Sequence, residues 1–225
     1  MQNERIGDWF SSVSGRKIYV ADPRPEDIHL FDIVIGLGNI CRFGGQVRKH
    51  YSVLQHSRMV ASGVAIELLN YDESSCRSEE FSLEYKAAMS SHGAAGDYFR
   101  ELIRTAALHD ASEAYIGDMV KPMKMMGLME EYRRIEAIWD RVIAEKYGLI
   151  YPLPDIVKRH DNRALATEFR DLRPRCEDLN WKCKPEEPYK WKVKAKRQRR
   201  ENRVNFCADL VRAGIPMELL KGSRL

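Results

Sequence analysis

Apolar residues recur along this chain at three- and four-residue spacing, the period of helices that bury one face. Before the first of these come short extended candidates around Lys17–Val20. Asp22-Pro23-Arg24-Pro25 follows, and its prolines impose a turn. A helix over Asp32–Ile40 ends near Gly44 and Gly45. The next starts after Ser52 and sets Val53, His56, Val60 and Val64 on neighbouring faces. The chain turns polar between Asn70 and Tyr98, with room for a short helix over Phe81–Met89. Tyr98–Tyr115 then reads as a helix with Phe99, Leu102, Ile103, Ala106 and Ala107 inward, stopped by Gly117. Leu128–Tyr147 is amphipathic through Tyr132, Ile135, Ile138, Trp139, Val142 and Ile143. Pro152 and Pro154 precede a helix over Asp155–Leu172, and Ala195–Ala213 forms the last, burying Phe206 and Leu210. The pattern predicts a mainly α-helical bundle with a small N-terminal β-hairpin.

Composition narrows the class without changing that picture. The 225 residues suit one domain spanning 1–225, with 44% hydrophobic and 31% charged residues, as in a folded protein rather than a disordered one. No apolar run approaches the ~20 residues that cross a bilayer, and MQNERIGDWF lacks the apolar core of a secretory signal. A cytoplasmic protein is expected. Cys41, Cys76, Cys176, Cys183 and Cys207 are scattered and form no C-x-x-C, so disulfides are not expected, and Cys41 and Cys207 read as small buried fillers. The net charge of +4 does not imply nucleic-acid binding, but Lys190–Arg203 concentrates positive charge and Asp72–Glu84 negative.

The candidate chemistry lies in four residues: His56 in YSVLQHS, His109 and Asp110 in ALHDASEAY, and Asp161 in KRHDNRALATEFRDL. Imidazole and carboxylate without cysteine, drawn from three distant segments, are the ligands of a divalent ion (Zn, Co or Mn) with positions left for water and substrate. Glu113 follows His109 by four residues and Asp110 by three, which on a helix puts a carboxylate beside the metal where a general acid or base is needed. Spacing alone does not choose between Asp161 and His160. His50 reads as a cap or surface group, and His29 and His92 have no assigned role.

The ordered set resembles the HD-domain phosphohydrolase superfamily. LHDASEAYIGDMVKPMK is similar to the central motif of its 5′-deoxynucleotidase branch and phage-type relatives, which include dATP triphosphohydrolases; PRPEDI, NICRFGG, HYSVLQHS and LATEFRDL match the phage-type members in order. The resemblance implies an HD helical bundle, Asp161 as fourth ligand seven residues before Glu168, and Glu113 as the proton-handling residue. It makes residues 71–97 an insertion and 173–225 an extension packing on the core. It also implies that Arg42 grips phosphate, that Phe43, standing where a Trp is expected, flanks base or sugar, that Asp118 reads the sugar hydroxyl, and that Lys124, ahead of Lys121, meets phosphate. The expected activity is hydrolysis of 5′-phosphorylated deoxynucleosides, tilted toward a dATP/dNTP triphosphohydrolase, with a 5′-deoxynucleotidase as alternative and Mg on the substrate phosphates. The expected partners are a small-molecule deoxynucleotide and a second copy of the chain, not membrane or nucleic acid. A regulatory or nucleic-acid-binding module resting on the basic run is the rival from another class. A cyclic-dinucleotide phosphodiesterase is disfavoured, because no H-x-x-G-x-P element occurs.

Overall fold

A computed structural model describes residues 4–70, 72–73, 94–173, 186–193, 195 and 199–220. Strands β1 (Trp9–Ser11) and β2 (Lys17–Tyr19) pair antiparallel, Trp9 opposite Tyr19 and Ser11 opposite Lys17. Strand alternation turns Ile18 fully inward, while Lys17 Nζ lies over the Trp9 ring, 4.6 Å from its centroid. Eight α-helices follow among the described residues: α1 (Leu30–Asn39), α2 (Val53–Leu68), α3 (Ala94–Ala107), α4 (Glu113–Ile116), α5 (Lys121–Lys124), α6 (Glu130–Tyr147), α7 (Asp155–Leu172) and α8 (Arg199–Arg212). The result is a mainly helical bundle with a small N-terminal hairpin. Trp139 of α6 joins the two parts, donating from Nε1 to Val20 O at 3.0 Å while stacking on Tyr115 at 4.6 Å.

Helix α2 forms the axis. Ser52 starts it with a reciprocal cap, its side chain accepting from Gln55 N while the Gln55 side chain accepts from Ser52 N. Its Val53, Leu54, Val60, Val64 and Ala65 are buried, and it packs on α1, α3, α7 and α8. A helix covered on so many sides is apolar well beyond one stripe. Arg104 of α3 ties down two helix ends at once, those of α6 and α8, donating from Nη2 to Gly148 O at 2.6 Å and from Nη1 to Ala213 O at 3.0 Å. Gly148 sits in the left-handed region at φ 59°, closing α6.

The boundaries depart from expectation where side chains compete with the backbone. The helix expected over Tyr98–Tyr115 ends at Ala107. There His109 Nδ1 takes the Ala106 carbonyl at 2.8 Å, the acceptor a continuing helix would offer to Asp110 N. Ala111 N and Glu113 N then bond three residues back, to Leu108 O and Asp110 O, tightening the chain into successive turns before α4. His109 and Asp110 are therefore turn residues. Helix α1 stops at Asn39, and Gly44 and Gly45 belong to a separate turn, Phe43–Gly45, in which Phe43 itself takes φ 59°. The last helix begins at Arg199, and part of the Lys190–Arg203 run lies outside the described residues, as do Phe81–Met89, His92, Cys76, Cys176 and Cys183, and most of 71–97. Cys207 is buried as expected, whereas Cys41 is only partly covered; both are free thiols. No helix among the described residues is long and apolar enough to cross a membrane.

The C-terminal part packs on this frame through Phe206, Leu210 and Tyr189, all fully buried. Tyr189 N donates to Thr167 Oγ1 at 2.8 Å, and its hydroxyl meets His160 Nδ1 at 2.7 Å directly over Gly63. A Cβ on residue 63 would lie 1.9 Å from that hydroxyl and 2.6 Å from His160 Nδ1. Gly63→Ala is accordingly expected to lower the stability of the fold by about 2 kcal/mol, the scale of a forced core overpacking, despite the higher helix propensity of alanine. Chemical denaturation checks this; an unchanged midpoint would mean that Tyr189 does not occupy the socket in solution.

Candidate metal centre

His56 is carried on the buried face of α2, and its Nδ1 meets Glu168 Oε1 of α7 at 2.7 Å. His109 is held the same way by the Ala106 carbonyl. With an acceptor at each Nδ1, the Nδ1 atoms carry protons and the Nε2 atoms are the ones left to take an ion, on rings whose centroids are 5.3 Å apart. Both Nε2 atoms are buried without an aligned hydrogen-bond partner. Asp110 Oδ2 lies 3.6 Å from His56 Nε2 and 3.3 Å from His109 Nε2. A tetrahedral ion with bonds of about 2.0–2.2 Å has ligand edges of about 3.3–3.6 Å, so the three groups fit one divalent ion. All three ligand atoms fall within 4.8 Å of one another. Asp161 Oδ1 lies 3.0 Å from His56 Nε2 and 4.0 Å from His109 Nε2, outside that three-residue group.

Electrostatics around the centre is dominated by burial and carboxylates. Burial and the Arg42 charge act to lower the His56 pKa, but Glu168 and Asp161 outweigh them and carry it up to about 10. Asp110 is held well below the usual carboxylate range, because His109, His56 and Arg42 overcome its desolvation. An ion can take His56 Nε2 only by displacing its proton, so metal uptake near neutral pH is expected to release protons. Affinity should then rise with pH below about 10, by up to about tenfold per unit for one proton. Titration calorimetry in buffers of differing ionisation enthalpy tests this, and a buffer-independent heat would contradict it.

The other sequence-predicted residues fall into two groups. Arg42 is buried beside the centre, with Nη1 3.7 Å from Asp110 Oδ2 and Nε donating to Glu168 Oε2 at 3.1 Å. Its guanidinium carbon lies 5.5 Å from the Phe43 ring centroid. Glu113, at the start of α4, has Oε2 buried without a partner, while Lys124 Nζ reaches Oε1 at 3.4 Å and Glu136 Oε1 at 2.7 Å. Burial foremost, with Asp110 and Asp118 adding repulsion, raises the Glu113 pKa well above the usual range, and burial also raises Asp118. Lys121 is exposed.

Glu168 is the main functional neighbour missed at the sequence level, where it served only as a spacing marker. It is fully buried and accepts from His56, Arg42 and Tyr51; the charges of Arg42 and His56, with the hydrogen bonds from His56 and Tyr51, hold its pKa low against the effect of burial. Its location one α7 turn pair beyond Asp161 on the same helix was the only available signal. Glu136, which fixes Lys124, had none. His160, the other residue that spacing left open, is buried, and its Nε2 meets Glu67 Oε2 at 3.0 Å, away from the centre. His50 meets Asn39 O at 3.2 Å, a surface loop contact.

No family model matches the chain. It is similar to uncharacterized protein YfdR of Escherichia coli (strain K12), with 34% identity over 164 residues covering 73% of this chain and 72% of YfdR. It is also similar to uncharacterized protein RCAP_rcc00048 of Rhodobacter capsulatus, with 29% identity over 153 residues covering 67% of this chain and 64% of that protein. The extent and identity of the first match place the chain in one family with YfdR.

Proposed function

We propose that the protein is an HD-type, metal-dependent phosphohydrolase acting on 5′-phosphorylated deoxynucleosides, with dATP and other dNTPs favoured. The observation that supports this most is the pair of orphaned imidazole nitrogens facing Asp110, with the unpartnered Glu113 carboxyl oxygen nearby. His56, His109, Asp110 and Asp161 would hold a divalent ion, which would supply Lewis acidity toward a phosphoryl oxygen and ease ionisation of water. Glu113, kept protonated by burial and its acidic neighbours, holds a proton at the reacting centre and passes it to the leaving oxygen. Lys124 holds that carboxyl in place and, with Arg42, offsets charge developing on phosphate. Asp118 accepts from the sugar 3′-OH, and Phe43 flanks base or sugar.

A 5′-deoxynucleotidase is the second reading, favoured by the commitment of Arg42 to Glu168 and of Lys124 to Glu113 and Glu136, which leaves less free positive charge for a polyphosphate. Metal-reconstituted protein should be assayed on dNMPs, dNTPs, NTPs and cyclic dinucleotides, with products separated by chromatography. The expected result is deoxyadenosine and triphosphate from dATP, with kcat/KM at least about tenfold above that for ATP. Phosphate and deoxyadenosine from dAMP alone would select the second reading. Equal rates on dATP and ATP would remove Asp118 from sugar selection, and no hydrolysis of any nucleotide would overturn the proposal.

A further inference from the structure

Arg173 ends α7 in an extended conformation, with its guanidinium carbon 5.4 Å from the Phe43 centroid and 5.1 Å from the Phe169 centroid. Arg42 approaches the same Phe43 ring at 5.5 Å. Two guanidinium groups thus share one aromatic side chain at the edge of the metal centre. They differ in what balances them. Arg42 has Glu168 and Asp110, whereas Arg173 makes no hydrogen bond or ion pair among the described residues. A guanidinium resting on aromatic rings keeps its in-plane N–H donors free, an arrangement suited to phosphate oxygens.

The turn that presents Phe43 adds an independent observation. Phe43 stands at φ 59°, a conformation disfavoured for a bulky side chain, followed by Gly44 at 59° and Gly45 at 79°. Strain of this kind persists where the surroundings over-determine it, commonly at ligand-binding positions. Here it holds the ring against both cations. Arg42 Nη1 is 3.7 Å from Asp110 Oδ2 and Arg173 stands against the same Phe43 ring as Arg42, so a phosphate chain that left the metal centre past Phe43 would come to Arg173.

Resting on the phosphohydrolase reading above, the geometry points to Arg173 and the Phe43 turn as a subsite for the distal phosphates of a nucleoside triphosphate. Arg173, unpaired among the described residues, supplies charge that Arg42 and Lys124 have already committed to carboxylates. The subsite discriminates tri- from monophosphates and leaves the chemistry at the metal untouched.

The test compares wild type, Arg173→Gln and Arg173→Lys. Inorganic tripolyphosphate and orthophosphate are titrated into each protein by calorimetry, and kcat/KM is measured on dATP and dAMP. Arg173→Gln should weaken tripolyphosphate binding and lower kcat/KM on dATP by at least about tenfold, while orthophosphate and dAMP change by less than about twofold. Arg173→Lys, retaining charge without the planar fork, should fall between them and also covers the case in which the Gln variant folds poorly. Equal losses on all four probes, or none on tripolyphosphate, would overturn the subsite. If wild type hydrolyses no nucleotide, the phosphohydrolase reading fails and the tripolyphosphate titration alone decides the subsite.

Discussion

Asp110→Ala is expected to leave the protein with less than about a tenth of its metal and no measurable hydrolysis. Asp110 lies within 3.6 Å of both orphaned imidazole nitrogens, 3.6 Å from His56 and 3.3 Å from His109, whereas Asp161 is 4.0 Å from His109. It also faces the Arg42 guanidinium, so its removal leaves two histidines and a buried cation with less negative charge to draw an ion in. The isosteric Asp110→Asn guards against a packing artefact and should lose metal too, because the charge rather than the shape is missing. Elemental analysis after dialysis reads the outcome. Full metal content with normal turnover in either variant would show that the ion, if any, binds elsewhere.

Glu113→Gln should separate binding from chemistry. Glutamine matches the protonated carboxyl in size, so metal content should stay at the wild-type level while turnover falls by roughly two or more orders of magnitude, the scale of a positioned general acid. The pH dependence has a definite sign. Folding raises the Glu113 pKa, so the stability this group contributes is complete below the unfolded value of about 4.3 and declines as pH rises through the folded value. Replacing it with glutamine removes that decline, and the variant should be at least as stable as wild type at pH 8. A variant that keeps its turnover, or loses metal together with it, would take Glu113 out of the proton-transfer role.

Much of this arrangement was legible in the residues because it depends on local rules. The three- and four-residue spacing in α2 and α6, the start of α2 after Ser52 and the prolines before α7 each mark an element through its own neighbours. The same holds for His56, His109 and Asp110, whose side-chain types announce a divalent ion before any distance is known. The break after Ala107 was hidden because it arises from a side chain, His109, taking a main-chain acceptor, which no periodicity records. Glu168, Glu136 and Arg173 were hidden for another reason. Their contacts are with other elements of the fold, which no single motif spans: His56 and Arg42, Lys124, and Phe43.

His56 on α2 and the His109–Asp110 turn meet only after α3 has docked against α2, so the unfolded chain contains no preformed site. Ligand-linked folding then makes the ion a reporter on the whole bundle: free metal at a thousandfold excess over its dissociation constant would stabilise the native state by about 4 kcal/mol, raising the thermal transition and slowing proteolysis through global opening. Cells short of that metal would carry not merely an idle protein but a shorter-lived one, and its abundance would follow the supply of the ion.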